Sequence, residues 1–323
     1  MLGFITQRIM KAIVVLLAIV VLNFFLIRLA PGDPAVVMAG EAGASDQLFV
    51  AQLREKFGLD QPLPVQLYRY VKGIATLDLG FSFRQQVPVS QLILERLPAT
   101  LLLTGTAFVI SLLSGVLFGT LAARRAGSWA DTAITILALI FYATPLFWVA
   151  LMAILLFSVT MDWLPSFGYE TVGASYTGFA HVLDVAAHLI LPAMTIGLFF
   201  MATYTRMTRA SMLEVKRLDF VKTARAKGLR DAVIQRRHIL RNALLPVVTL
   251  AGLQAGTLVG GAVLTETVFA WPGIGRLMYE ALLQRDYNLL LGVFVVCSAM
   301  VLAFNLITDL IYRSVDPRIE FAA

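Results

Sequence analysis

Residues Asp219 to Pro246 read DFVKTARAKGLRDAVIQRRHILRNALLP, a strongly basic island lodged between long apolar runs. From Arg206 to Arg241 there are 11 Lys or Arg against three acids, Glu214, Asp219 and Asp231, a local excess greater than the +6 of the whole chain. Across the 323 residues 59% are hydrophobic and 14% charged, and the mean hydropathy is +0.81. That is too little polar surface to cover a soluble globule, so the chain is an integral membrane protein. A basic balance can also signal nucleic acid. Here the charge is concentrated in one loop between apolar spans, as expected for a loop held on the cytoplasmic side, and no nucleic-acid partner is expected.

A membrane helix needs roughly 20 apolar residues. About six segments qualify: 9–30, 97–123, 133–160, 189–207, 244–269 and 289–312, with a long outer loop at 31–96 and the basic loop at 208–243. The first run carries Arg8 and Lys11 like the n-region of a signal peptide. Its apolar core is long, however, and Leu29 to Asp33 offers no small-residue cleavage pattern, so it is expected to stay as an uncleaved span. Arg8, Lys11, Arg124, Arg125, the basic loop, Arg313 and Arg318 fall on one side and hold 17 of the 26 Lys and Arg. Both termini are therefore expected in the cytoplasm, in a single all-α domain embedded in the lipid bilayer. The outer loop is too long to lack structure of its own. In it Asp46 can cap a short helix with Phe49, Leu53 and Phe57 on one face, ended by Gly58.

Within the basic island, Asp219 can cap a helix through Val221, Thr223, Ala224 and Ala226, and Gly228 can take the left-handed conformation that ends it. A second helix should run from about Asp231 towards Leu245. Two short helices around a glycine turn make a compact knob suited to a groove on a soluble partner. The plainer alternative is a solvated basic loop that only enforces topology.

The run Asp219 to Leu229, DFVKTARAKGL, followed by His238 to Pro246, HILRNALLP, resembles the coupling motif of ATP-binding-cassette importer permeases, in the variant found in dipeptide and oligopeptide transporters. Arg28 to Pro34, RLAPGDP, resembles the N-terminal signature of that family, and Glu266 to Leu277, ETVFAWPGIGRL, its segment after the fifth span. Asp316-Pro317-Arg318 carries the likeness to the C-terminal region. Lys222-Thr223-Ala224 stands where the broader importer pattern has Glu-Ala-Ala, a departure that suits the peptide-type branch.

The resemblance implies a type I importer permease fold in a bacterial inner membrane, forming half of an alternating-access pore for di- or oligopeptides. It implies a second homologous permease, two cytoplasmic ATPase subunits and an extracytoplasmic substrate-binding protein as partners. It also implies that Asp219, Phe220, Val221, Thr223, Ala224, Arg225, Ala226, Lys227 and Gly228 dock into a cleft of an ATPase subunit. Relatives that carry nickel chelates, glutathione or sugar-derived compounds leave the cargo open.

Charged groups at membrane depth are costly and tend to face a wet cavity or a partner. Glu266, beside Thr265, can meet a substrate amine or pair with Arg276. Asp309, one turn beyond Asn305, can snorkel, as can Arg28. Gly252, Gly256 and Gly260 have small-xxx-small spacing, for packing within the chain or against the second permease. Pro145 and Pro192 can bend or start helices, Trp148, Trp163 and Trp271 fit membrane-interface or packing positions, and Cys297 is a packing residue.

No G-x-x-x-x-G-K-[ST] is present, so ATP and magnesium are expected in partner subunits, with no cofactor on this chain and no catalysis by it. His181, His188 and His238 form no H-E-x-x-H, and no metal site is expected. An ion-coupled carrier would want broken helices and paired buried charges at the midplane. An intramembrane hydrolase would want a nucleophile that is missing here.

Overall fold

Apolar stretches fold as helices in a membrane because the backbone must satisfy its own polar groups. The computed structural model describes residues 2–29, 36, 47–57, 60–82 and 84–315. In chain order the elements are α1 (Leu2–Leu29), α2 (Gln47–Phe57), α3 (Leu63–Ala75), a hairpin of β1 (Phe81–Ser82) and β2 (Val87–Pro88), α4 (Val89–Arg124), α5 (Trp129–Ala143) and α6 (Leu146–Ala153). There follow α7 (Phe179–Val215), α8 (Asp219–Ala226), α9 (Asp231–Val233), α10 (Arg241–Gly261), α11 (Val263–Val268), α12 (Ile274–Leu283) and α13 (Tyr287–Val315). Two π-helical stretches continue α6 (Ile154–Thr160) and join α9 to α10 (Ile234–Leu240). Among the described residues five helices are long and apolar enough to cross a membrane, or six if the bent pair of α5 and α6 counts as one span.

That bent pair replaces the continuous span expected at 133–160. Thr144 is extended, with φ −80° and ψ 133°, Pro145 caps α6, and the two helices meet at 102°. Proline has no N–H to give to the preceding turn and forces the residue before it out of the helical region, so hydropathy stays high while the helix breaks. Pro98, Pro192 and Pro246, by contrast, lie inside α4, α7 and α10.

The chain forms two compact units. One comprises Met1–Thr100 with Pro272–Leu302. Here Phe24 of α1 meets Tyr70 of α3 at 5.8 Å between ring centroids, and Val20 and Phe24 are buried. The first turns of α4 bury Val89, Leu92 and Ile93 against Ile274, Leu277 and Ala281 of α12 and Leu289 and Val293 of α13, with Cys297 packed at the edge. Asp286 ties the hairpin to this core: its carboxylate accepts from the Ser82 hydroxyl and caps α13 through the Leu289 N–H at 3.1 Å. The loop expected at 31–96 thus contains two helices and a hairpin. Its expected cap at Asp46, the side chains of Phe49, Leu53 and Phe57, and Gly58 lie outside what the structure describes, as do the side chain of Arg28 and the motif at 316–318.

The other unit comprises Leu101–Trp271 with Ala303–Ala323. Its axis is α7, whose 37 residues make a rod about 55 Å long at 1.5 Å per residue, longer than a bilayer's hydrocarbon core. The Leu101–Arg124 part of α4 packs closely on it. A side chain at Gly115 would collide with the Tyr204 Cβ, and one at Gly119 with Thr205 O and Thr208 Cβ, both at 2.6 Å. This Gly115/Gly119 pair has the small-xxx-small spacing that lets two helix backbones approach.

Candidate coupling site

Helix α8 is short and amphipathic. Val221 and Ala224, three apart and hence on one face, are buried, whereas Asp219, Phe220, Lys222, Thr223, Arg225, Ala226 and Lys227 are exposed. The buried pair sits in a socket of Ala123 from α4, Met212 from α7, Ile234 and Ile239 from the π-helical stretch and Ala243 from α10. Val221 alone contributes about 1.5–3 kcal/mol by its burial. The π-helical stretch explains how one strip of chain supplies both isoleucines. Hydrogen bonding from i to i+5 brings residues five apart onto the same face, which a regular helix would rotate away from each other. The second helix expected from about Asp231 towards Leu245 is present as one helical run, α9 passing through the π-helical stretch into α10.

The start of α8 differs from its expected form. Leu218, not Asp219, is the capping residue, with no side-chain hydrogen bond; Asp219 is the first helical residue and its Oδ1 accepts from Lys222 Nζ at 2.8 Å. An acid in the first turn still complements the positive end of the helix dipole. The Thr223 hydroxyl donates to Asp219 O at 3.0 Å. At the other end Gly228 has φ +74° and donates its N–H to Arg225 O at 2.9 Å, and Leu229 N–H reaches Ala224 O at 3.3 Å. This is the left-handed glycine stop expected from the sequence. The arrangement is a stiff, positively fringed knob on a dry base, able to dock in a complementary groove and transmit its displacement.

One group of charged residues escaped the sequence reading. Asp131, with 4% of its surface exposed, accepts from Arg209 Nε at 2.6 Å and Nη2 at 2.8 Å, and from Gly127 N–H at 2.9 Å. Ser128, three residues before Asp131, caps α5 by accepting the Asp131 N–H at 3.4 Å. That spacing is a readable helix start; the pairing with Arg209, 78 residues away, has no local signal.

Sequence comparison places these features. The profile of the binding-protein-dependent transport system inner membrane component family matches residues 115–321, and its N-terminal companion profile matches residues 1–104. The chain belongs to this permease family. It is 40% identical to the dipeptide transport system permease protein DppB of Alkalihalophilus pseudofirmus, over 99% of this chain and all of that one. It is 39% identical to the oligopeptide transport system permease protein AppB of Bacillus subtilis, with the same coverage. A putative peptide transport system permease protein of Brucella abortus is 41% identical over 99% of this chain. Among solved structures, an inward-facing MetNI methionine ABC transporter chain superposes with a TM-score of 0.57 at 21% identity, covering 70% of this chain and 97% of that one. The permease is accordingly a multi-pass inner membrane protein with the type I importer fold, the pore-forming subunit of a binding-protein-dependent importer.

The other residues singled out in this permease lie in both units. Thr265 and Glu266 lie in α11 and are buried at 1% and 0% exposure; Glu266 O accepts the Trp271 N–H at 2.8 Å, closing the turn that leads into the buried Trp271. Arg276 belongs to the other unit, where its Nε donates to Glu280 Oε1 at 2.7 Å, one turn along α12. Asn305 is half-buried on α13, and the side chain of Asp309 lies outside the described residues. Gly252 is used inside the chain: a Cβ there would overlap Thr308, whose hydroxyl donates to Gly252 O at 3.1 Å. Gly256 is buried, and the surroundings of Gly260 lie outside the described residues. Beside Gly252 an apolar cavity of about 370 Å³ is lined by residues including Leu101, Thr104, Phe108 and Phe304. It suits hydrocarbon, since the charged termini of a peptide would find almost no polar partner there. His188 Nδ1 contacts Asp184 O at 2.8 Å and His181 faces Glu170 at 3.3 Å; among the described residues no three His, Cys, Asp or Glu gather to hold a metal.

Replacing Glu266 by Gln keeps the shape and one acceptor oxygen while removing the ionisable group. The expected outcome is slower uptake at an unchanged amount of permease in the membrane. Uptake and ATP hydrolysis both at wild-type rates would assign Glu266 to packing alone.

Proposed function

We propose that this permease carries di- or oligopeptides inward as one half of a pore completed by a second homologous permease. Two ATP-hydrolysing subunits engage the exposed face of α8 on the cytoplasmic side, and an extracytoplasmic binding protein delivers the cargo. ATP and magnesium belong to the ATPase subunits and the chain itself catalyses nothing. The observation that carries this reading is the seating of α8: a basic, exposed face held on a buried socket, in a chain about 40% identical over its length to a dipeptide permease. The charge pattern along the sequence, which assigns 17 of the 26 Lys and Arg to the side of the basic loop, supports cytoplasmic termini. Pore residues are to be sought around Thr265, Glu266 and Asn305, and a permease–permease seam along the α10 glycines not already closed by Thr308.

An energy-source experiment tests the proposal. In cells carrying the whole system, arsenate, which drains ATP but spares the membrane potential, is expected to stop uptake of labelled dialanine. A protonophore applied to cells with glycolytic ATP should leave uptake largely intact. The reverse pattern would indicate an ion-coupled carrier.

A further inference from the structure

The socket beneath α8 is assembled from two long helices, and its geometry depends on how those helices are held at that end. Gly119 of α4 lies against Thr208 of α7; one turn further along each helix come Ala123 and Met212, both in the socket. Arg209 sits between Thr208 and Met212 and forks onto Asp131, whose carboxylate also takes the N–H of Gly127 in the turn that leaves α4. Gly127 has φ +80°, a conformation that aims its N–H into the carboxylate at no steric cost. One buried acid therefore accepts three hydrogen bonds, two from α7 and one from the exit of α4. A planar guanidinium fork fixes orientation as well as distance, which a lysine or a neutral amide does not.

We infer that Asp131 and Arg209 are positioning residues for coupling: through Asp131 at the start of α5 they tie the turn leaving α4 to the end of α7, so that a displacement of α8 moves both helices together. Without the clamp, a push on α8 is absorbed in the turn at 125–128 and does not travel along the rods. This rests on the reading of α8 as the helix that engages an ATPase subunit. Energetic coupling between sites requires an element both sites bias, and here that element is the clamped pair of helix ends.

The test uses the whole complex purified from its native membrane, with hydrogen–deuterium exchange compared between nucleotide-free and ATP–vanadate-trapped forms. In the wild type, trapping is expected to change exchange in α8 and in segments 119–131 and 205–218. In Asp131→Asn the response of α8 should remain, and that of the two segments should fall on the order of tenfold, within the usual range of coupling between sites. Arg209→Lys, which keeps the charge but loses the fork, should give an intermediate loss, and it carries the test if Asp131→Asn does not assemble. A full response of both segments in the variants would overturn the clamp and leave the α8 reading standing. A wild type in which α8 itself does not respond to nucleotide would overturn that reading first.

Discussion

Replacing Gly228 by proline is expected to abolish ATP-driven uptake while the permease still inserts in the membrane. The native φ of +74° is out of reach for a ring fixed near −65°, and the N–H that reaches Arg225 O at 2.9 Å is removed. The combined cost is about 3 kcal/mol or more, borne locally because the turn is exposed. The damage falls on the stop of α8 and on the chain path back to Ile234, so Val221 and Ala224 lose their register in the socket. The measurement is uptake of labelled peptide alongside the amount of membrane-inserted chain. Gly228→Ala should be milder, since one residue with positive φ costs only about 1–2 kcal/mol. Wild-type uptake in Gly228→Pro would contradict a coupling role for α8.

The second large effect concerns assembly. Gly119→Leu should prevent stable folding, because even the first side-chain carbon would lie 2.6 Å from both Thr205 O and Thr208 Cβ, and a backbone oxygen in a long helix cannot move aside. Overpacking of this kind costs about 1–3 kcal/mol, and the backbone clash places this case at the upper limit or beyond. Gly115→Leu should behave alike through Tyr204. Gly105 on the same helix is the control, since an added Cβ meets nothing within 4 Å. Gly105→Ala should be neutral or stabilising by up to about 1 kcal/mol through helix propensity. Thermal melting of the detergent-solubilised complex, followed by size-exclusion fluorescence, reads all three. Equal melting temperatures for Gly119→Leu and the wild type would mean that α4 and α7 do not meet there.

Much of this architecture is legible along the chain because its causes are local. Apolar runs announce spans, the clustered Lys and Arg mark one loop, and Gly228 marks the stop of α8. Features with non-local causes are silent. The break at Thr144 is flagged locally by Pro145, as expected, but its angle of 102° is not, because hydropathy reports the solvent and not the path of the backbone. Gly115/Gly119 and Gly252/Gly256 show the same spacing, and only the structure shows that the first pair meets Tyr204 and Thr208 while Gly252 meets Thr308. Asp131 and Arg209 look like ordinary loop-side charges until the fold brings them within 2.6 Å. The change from an expected Asp219 cap to Leu218 is a shift of one residue, the usual uncertainty where several polar groups compete for a helix start.

The most direct measurement of the central claim is a cross-link from α8. In a Cys297→Ser background, Thr223→Cys places one thiol on the exposed face of the helix; it is labelled with a maleimide–benzophenone, whose photoexcited end inserts into a neighbouring C–H bond of any residue type, and the adduct is identified by mass spectrometry. The expected partner is a subunit containing G-x-x-x-x-G-K-[ST]. Complexes that retain all their chains, in which the thiol introduced on α8 reacts freely with a soluble maleimide yet joins no such subunit, would contradict the account.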